Sequence, residues 1–197
     1  MAQKLFFLLP LLFLTACGGE KAPLTEAEGR KVLMIIAPKN FRDEELLETK
    51  EVLTQAGAVV ELASTSLDTA VGMLGAKVAV DLLMDSVRVV NYDAVVFVGG
   101  VGASQYWESP QAHSIAQEAY QTGKVLGAIC IAPVTLANAG LLKGKKATVW
   151  ASEKGKIEAK GAKYTGSSVE ADGRIITANG PKAARKFGEA ILKGLSQ

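Results

Sequence analysis

The sequence predicts an α/β domain built on a mostly parallel sheet. Short apolar runs alternate along the chain with amphipathic helical patterns. The runs are continuous rather than alternating, as in strands buried on both faces. Glycine or proline punctuates most of the junctions between them. With 197 residues, the chain is long enough to bury one core without disulfide or metal staples.

The elements follow in order. KVLMIIA (31–37) is an apolar run closed by Pro38, a buried strand. After Asn40, a plausible N-cap region, FRDEELLETKEVLTQAG reads as a helix ending at Gly57. AVVELAS (58–64) is the next strand, and residues 69–80 have the alternation and glycines of a small hairpin. YDAVVFVGG supplies a strand at 94–98 that runs into Gly99 and Gly100. Ser109-Pro110 opens a helix, with Ala112, Ile115, Ala116, Ala119 and Tyr120 as its apolar stripe. KVLGAI is another buried strand, followed by the helix IAPVTLANAG. KATVW (146–150) reads as a strand, TGSSVEADGRIITA as a hairpin turned at Asp172-Gly173, and PKAARKFGEAILKGL as the closing helix.

The N-terminus carries a separate signal. Lys4, the apolar stretch LFFLLPLLFL and then Leu14-Thr15-Ala16-Cys17 have the order of an export signal, too short and too interrupted by Pro10 for a bilayer span. Leu-Thr-Ala-Cys resembles the lipobox of bacterial lipoproteins, which implies cleavage before Cys17 and acylation of its thiol. Residues 1–16 are therefore expected to be a lipoprotein signal peptide, 17–29 a flexible Gly/Pro-punctuated tether, and 30–197 the folded domain. The implied location is a membrane-anchored protein facing the periplasm or the cell exterior. Acyl chains would hold it to the membrane.

Charge excludes one partner class. The chain has 22 Lys and Arg against 20 Asp and Glu, without the basic excess of a nucleic-acid binder. Of its two cysteines, an acylated Cys17 would leave Cys130 as the single free thiol, so no intrachain disulfide is expected.

In doubly wound sheets the site forms beyond the carboxyl ends of the strands, near the point where strand order reverses. Three such ends carry unusual residues: Pro38 to Glu45, Gly99 to Gly102, and Cys130. Cys130 is open to two readings, a small buried hydrophobe or a nucleophile at a bend between strand and helix. In the second, the positive end of the helix would favour a thiolate. Glu44, Glu48, Glu51 and Gln55 share a solvated line, whereas Glu45 falls on the inward line of Thr49, Val52 and Ala56. An inward carboxylate is costly unless protonated or paired, so Glu45 is expected to be neutral and to donate to the sulfur. Gly99-Gly100-Val101-Gly102 matches only part of a dinucleotide fingerprint, and its freed N–H groups suit an oxyanion hole better.

YDAVVFVGG, GAICIAP, the inward Glu45 and the Gly180-Pro181 start of the last helix together resemble the ThiJ/PfpI superfamily, over about Lys31 to Ala190. The resemblance implies a flavodoxin-like three-layer sandwich, usually dimeric. It implies Cys130 as nucleophile, Glu45 as acid/base or hydrogen-bond donor, and backbone donors at Gly100 and Ile131. Some members have a histidine directly after the cysteine, where this chain has Ile131. Others carry one on the following strand, where Trp150 stands and is expected to line the pocket. Asn179 replaces an arginine common before Gly-Pro. The single histidine, His113, is read as a surface helix residue, and without a nearby base peptidase chemistry is disfavoured. Amidotransferase-like chemistry lacks its histidine–glutamate pair.

The expected function is cysteine chemistry on small reactive carbonyls, glyoxalase- or deglycase-like, or oxidation sensing, with a small electrophile or oxidant as partner. If the protein is an enzyme, it is a cysteine-dependent lyase or hydrolase. No cofactor and no metal are expected. The alternative is a binding or chaperone-like module with an inert Cys130.

Overall fold

The computed structural model describes Met1 and residues 27–197; the signal segment, Cys17 and most of the tether lie outside the described residues. Chain order runs β1 (Lys31–Ile35), β2 (Lys39–Phe41), α1 (Asp43–Gln55), β3 (Val59–Ser64), β4 (Ala70–Gly72), β5 (Lys77–Val78) and β6 (Leu82–Leu83). It continues with β7 (Ala94–Phe97), α2 (Pro110–Gln121), β8 (Val125–Ile129), α3 (Pro133–Asn138), β9 (Lys146–Ala147) and α4 (Lys154–Ala159). β10 (Lys163–Tyr164), β11 (Val169–Asp172), β12 (Ile175–Ala178) and α5 (Ala184–Leu195) complete it.

The central sheet has seven strands in the order β11-β12-β8-β7-β1-β3-β6. All its pairings are parallel except the β11–β12 hairpin. Alternate residues of β1 feed two separate cores, because successive strand side chains point to opposite faces. Val32 and Met34 pack with α1 and α5 through Leu46, Leu53, Phe187 and Ile191. Leu33 and Ile35 pack with α2 and α3 through Ile115, Ala116 and Leu136. The result is an α/β three-layer sandwich whose strands β1, β7 and β8 are buried almost throughout. β1 sits between β3 and β7, so strand order reverses at the carboxyl ends of β1 and β7.

Several expectations need correction. The tether does not extend to residue 29: Ala27 is buried and its N–H donates to the Ala56 carbonyl at 3.1 Å. The strand read at 146–150 stops after Ala147. There the Thr148 N–H turns to the Thr177 hydroxyl at 2.9 Å, and its own hydroxyl donates to the Ser167 carbonyl. This side-chain competition removes the ladder partner. A short helix, α4, then follows where no helix was expected. Tyr120 leaves the apolar stripe of α2 and is exposed, with the Lys145 ammonium 5.6 Å over its ring. The small hairpin at 70–78 forms, but in its own three-stranded sheet with β2 rather than in the main one.

Candidate active site

β8 ends at Ile129, and Cys130 takes φ 62°, a left-handed backbone that a residue with a Cβ adopts at a cost of about 1–3 kcal/mol. Neighbouring chains hold it there. The Cys130 N–H donates to the Ala178 carbonyl at 2.9 Å, and its carbonyl accepts from the Trp150 N–H at 2.8 Å. One residue on, the Ile131 carbonyl accepts from the Trp107 indole at 3.1 Å. The bend is thus pinned on both sides before α3 begins at Pro133.

Opposite the bend, the first turn of α1 points Glu45 inward, and it is fully buried. Gly99 shows how close the two side chains come. A Cβ added there would lie 2.5 Å from Cys130 Cβ and 2.5 Å from Glu45 Oε2. Only a residue without a side chain fits between the thiol and the acid. Gly100 has φ 90°, and a Cβ on it would meet the Arg42 nitrogen at 2.3 Å, so the β7 turn can close against α1 only with glycine.

The hydrogen bonds of Glu45 are lopsided. Oε2 accepts from the Gly99 N–H at 3.1 Å. Oε1 is buried and has no hydrogen-bond partner among the described residues. Burial pushes the Glu45 carboxyl up to about 8, against the opposing pull of the Cys130 thiol, the Gly99 N–H and the Arg42 guanidinium. Burial also pushes the Cys130 thiol up to about 12, helped by the charge of an ionised Glu45, while the Gly100 and Ile131 N–H groups donate to the sulfur and pull it down.

Two acids in contact lose their protons in steps that belong to the pair. This pair keeps both protons until about pH 8. The thiolate expected from the sequence at neutral pH is therefore not the resting state. The helix behind the sulfur has only six residues, and its dipole does not offset desolvation. Once one proton leaves, the other belongs on Glu45. An ionised carboxyl would have only the Gly99 N–H and the thiol to serve it, with Oε1 buried and unpartnered among the described residues, whereas the sulfur faces two N–H donors.

Gly100 and Ile131, expected as oxyanion donors, thus both reach the site and point at the sulfur itself. A cavity of about 210 Å³ opens over Cys130, bounded by Arg42, Met73, Val101, Ile131, Trp150 and Pro181. Trp150 and Pro181 also border a neighbouring cavity of about 390 Å³ that includes Asn179. Trp150 lines the same cavity as Cys130, yet it remains 46% exposed and does not seal the cleft. His113 is elsewhere: its Nε2 lies 2.7 Å from the Trp107 carbonyl. Cys17 lies outside the described residues. Among those residues, no group of three or more His, Cys, Asp or Glu is placed to hold a metal ion.

Arg42, Met73 and Trp107 were not singled out from the sequence, and Pro181 only as the start of the last helix. Only Arg42 carried a signal that could have found it, a cation one helical turn before an inward acid.

Residues 30–194 match the DJ-1/PfpI family. The chain belongs to that family. It is 45% identical over 170 residues to an uncharacterized protein of Methanocaldococcus jannaschii, covering 85% of this chain and 83% of that one. A deglycase of Pyrococcus horikoshii is 32% identical over 151 residues, covering 77% of this chain and 90% of the relative. Among solved structures, a ThiJ/PfpI domain protein from Brachyspira murdochii superposes with a TM-score of 0.83 at 32% identity, covering 85% of this chain and 97% of that chain. The family fold and its flavodoxin-like layering are thereby established for residues 30–194.

Proposed function

We propose that this chain uses Cys130 as a nucleophile toward small reactive carbonyl compounds, in a deglycase- or glyoxalase-like reaction, from a membrane anchor at lipidated Cys17. One observation carries the reading: the fully buried Glu45, with one oxygen left without a partner, lies directly across Gly99 from the only thiol of the described domain. The deglycase relative supports the substrate class.

The chemistry follows from the pair. The substrate carbonyl enters the cleft and sulfur adds to its carbon, forming the C–S bond as the C=O π pair moves to oxygen. The thiol proton travels through the Glu45 carboxyl to that oxygen, giving a hemithioacetal. With a 2-oxoaldehyde, the same carboxyl can move a proton from C1 to C2. The product is a 2-hydroxyacyl thioester, which water hydrolyses to a 2-hydroxy acid and free thiol. No step needs a histidine, in keeping with a chain whose one histidine bonds the Trp107 carbonyl. Oxidation of Cys130 to a sulfinate that accepts from Glu45 is the stress-sensing form of the same site. A homodimer facing the periplasm or cell exterior completes the proposal.

A second reading has its own support. The raised Cys130 thiol is what an inert cysteine in a binding module would show. Methylglyoxal turnover by the mature protein and its Cys130→Ser variant separates them. The enzymatic reading expects turnover in the parent and a loss of at least about 100-fold in the variant. Equal rates would leave the inert module.

A further inference from the structure

Arg42 is the one formally charged side chain among the residues that bound the Cys130 cleft; the others are apolar or glycine apart from the thiol itself. Its position is fixed twice. The backbone N–H of Arg42 donates to the Gly99 carbonyl at 3.1 Å, holding the residue against the turn that separates thiol from acid. The guanidinium is clamped on one edge by Glu44, with Nε 2.8 Å from Oε2 and Nη2 3.0 Å from Oε1. That grip leaves Nη1 with no hydrogen bond or ion pair among the described residues. The side chain is 28% exposed, and the residue lines the cleft.

A guanidinium presents more than one edge, and a carboxylate on the first leaves the Nη1 edge able to take a second anion. Glu44 thus acts as a splint for the cation without occupying all its donors. The cleft, at about 210 Å³, is small and mostly apolar, and both the nucleophile and the held cation belong to its lining. A small ligand with a carboxylate on Arg42 would lay its short carbon chain against Met73, Val101 and Trp150.

We infer that Arg42 makes this cleft selective for small electrophiles that carry an anionic end, with carboxylate-bearing carbonyl compounds, 2-oxo acids above all, as the class. The inference deepens the carbonyl reading and rests on it for the chemical step. Sulfur adds to the oxo carbon as the C=O π pair moves to oxygen, the thiol proton passes to that oxygen through Glu45, and the carboxylate stays unchanged on Arg42. The product is a hemithioacetal or hemithioketal, and no oxidant or reductant is consumed.

The test uses two alkylating reagents that differ only in charge. Iodoacetate and iodoacetamide both transfer a two-carbon unit to sulfur and release iodide, but one carries a carboxylate and the other an amide. The rate ratio of iodoacetate to iodoacetamide at Cys130 is measured on the native chain, on the urea-unfolded chain, and on Arg42→Gln and Arg42→Lys. The ratio should be about tenfold higher in the native than in the unfolded chain, the size of one charge-assisted contact. It should fall to the unfolded value in Arg42→Gln and be partly kept in Arg42→Lys. A second measurement is protection of the native thiol from iodoacetamide by glyoxylate and by methylglyoxal, in which glyoxylate should protect at about tenfold lower concentration. A native ratio no higher than the unfolded one, or equal protection by the two carbonyls, would overturn the role of Arg42. The comparison of native with unfolded chain decides the point even if neither variant folds. Failure of the carbonyl reading looks different: neither compound would protect, whatever the reagent ratio.

Discussion

Two of the three carboxyl groups in the first turn of α1, Asp43 and Glu45, are buried, and the structure treats them in opposite ways. Asp43 has both oxygens satisfied: Oδ1 accepts from the Ala76 N–H and Oδ2 from the Leu74 N–H, each at 2.8 Å. It ties down the turn between β4 and β5, and Gly72 leaves room for it, since a Cβ there would meet its carboxyl at 2.5 Å. Glu45 has one oxygen on the Gly99 N–H and the other without a hydrogen-bond partner among the described residues, beside a thiol. A buried acid with every lone pair engaged is part of the frame. A buried acid left half engaged beside a nucleophile holds a proton for use.

The sharpest break between them comes from replacing each. Glu45→Gln should lower carbonyl turnover by at least about 100-fold, because an amide can donate to the sulfur but cannot pass a proton. The same change should stabilise the protein at pH 8. Above about 4.5 the unfolded glutamate has lost its proton, while the folded pair keeps both of its protons to about 8. Folding therefore takes up a proton in that window, and stability falls as pH rises through it. Urea denaturation from pH 5 to 8 should show that decline in the parent and a flatter line in Glu45→Gln, with a gain on the order of 3 kcal/mol at pH 8. An equal slope in both would mean Glu45 is ionised in the folded state.

Asp43→Ala should do the reverse. Two part-buried N–H groups lose their acceptors, at a cost of about 2 kcal/mol, or roughly 5 °C in the thermal midpoint. Turnover per folded molecule should change by less than about threefold. A large loss of turnover without loss of stability would erase the distinction between the two acids.

The smallest effect concerns the pinning of the bend. Trp107→Phe removes the indole donor from the Ile131 carbonyl and should lower kcat about threefold with KM unchanged, at a stability cost of about 1 kcal/mol. A matching rise in KM would instead place Trp107 in contact with substrate.

Much of this arrangement was legible in the order of residues. Apolar runs at 31–37, 94–98 and 125–129 mark strands because burial on both faces removes alternation. Glu45 showed itself by helical period alone, on the line of Thr49 and Val52, which are buried with it. The four-residue turn between β4 and β5 and the hairpin at Asp172 were also visible, since local turn chemistry decides them. What was missed depends on partners distant in the chain. The strand at 146 ends early because Thr177 offers a hydroxyl from 29 residues away. Trp107 reaches Ile131 across 24 residues, and Arg42 joins the cleft only because the Gly99-Gly100 turn closes against α1. The protonation of the thiol was misjudged for a related reason. Sequence shows that a helix follows Cys130, but not that it is six residues long or that the sulfur is only 8% exposed.

The central claim is that Glu45 keeps its proton while Cys130 gives up its own. Ultraviolet thiolate absorbance, taken as the difference between the parent and Cys130→Ser across pH 5 to 12, tests it most directly. The account predicts a thiolate that appears well below the value of about 12 to which burial and an ionised Glu45 would push the thiol. A thiolate that appears only near about 12 would mean that the acid ionises first, and would contradict it.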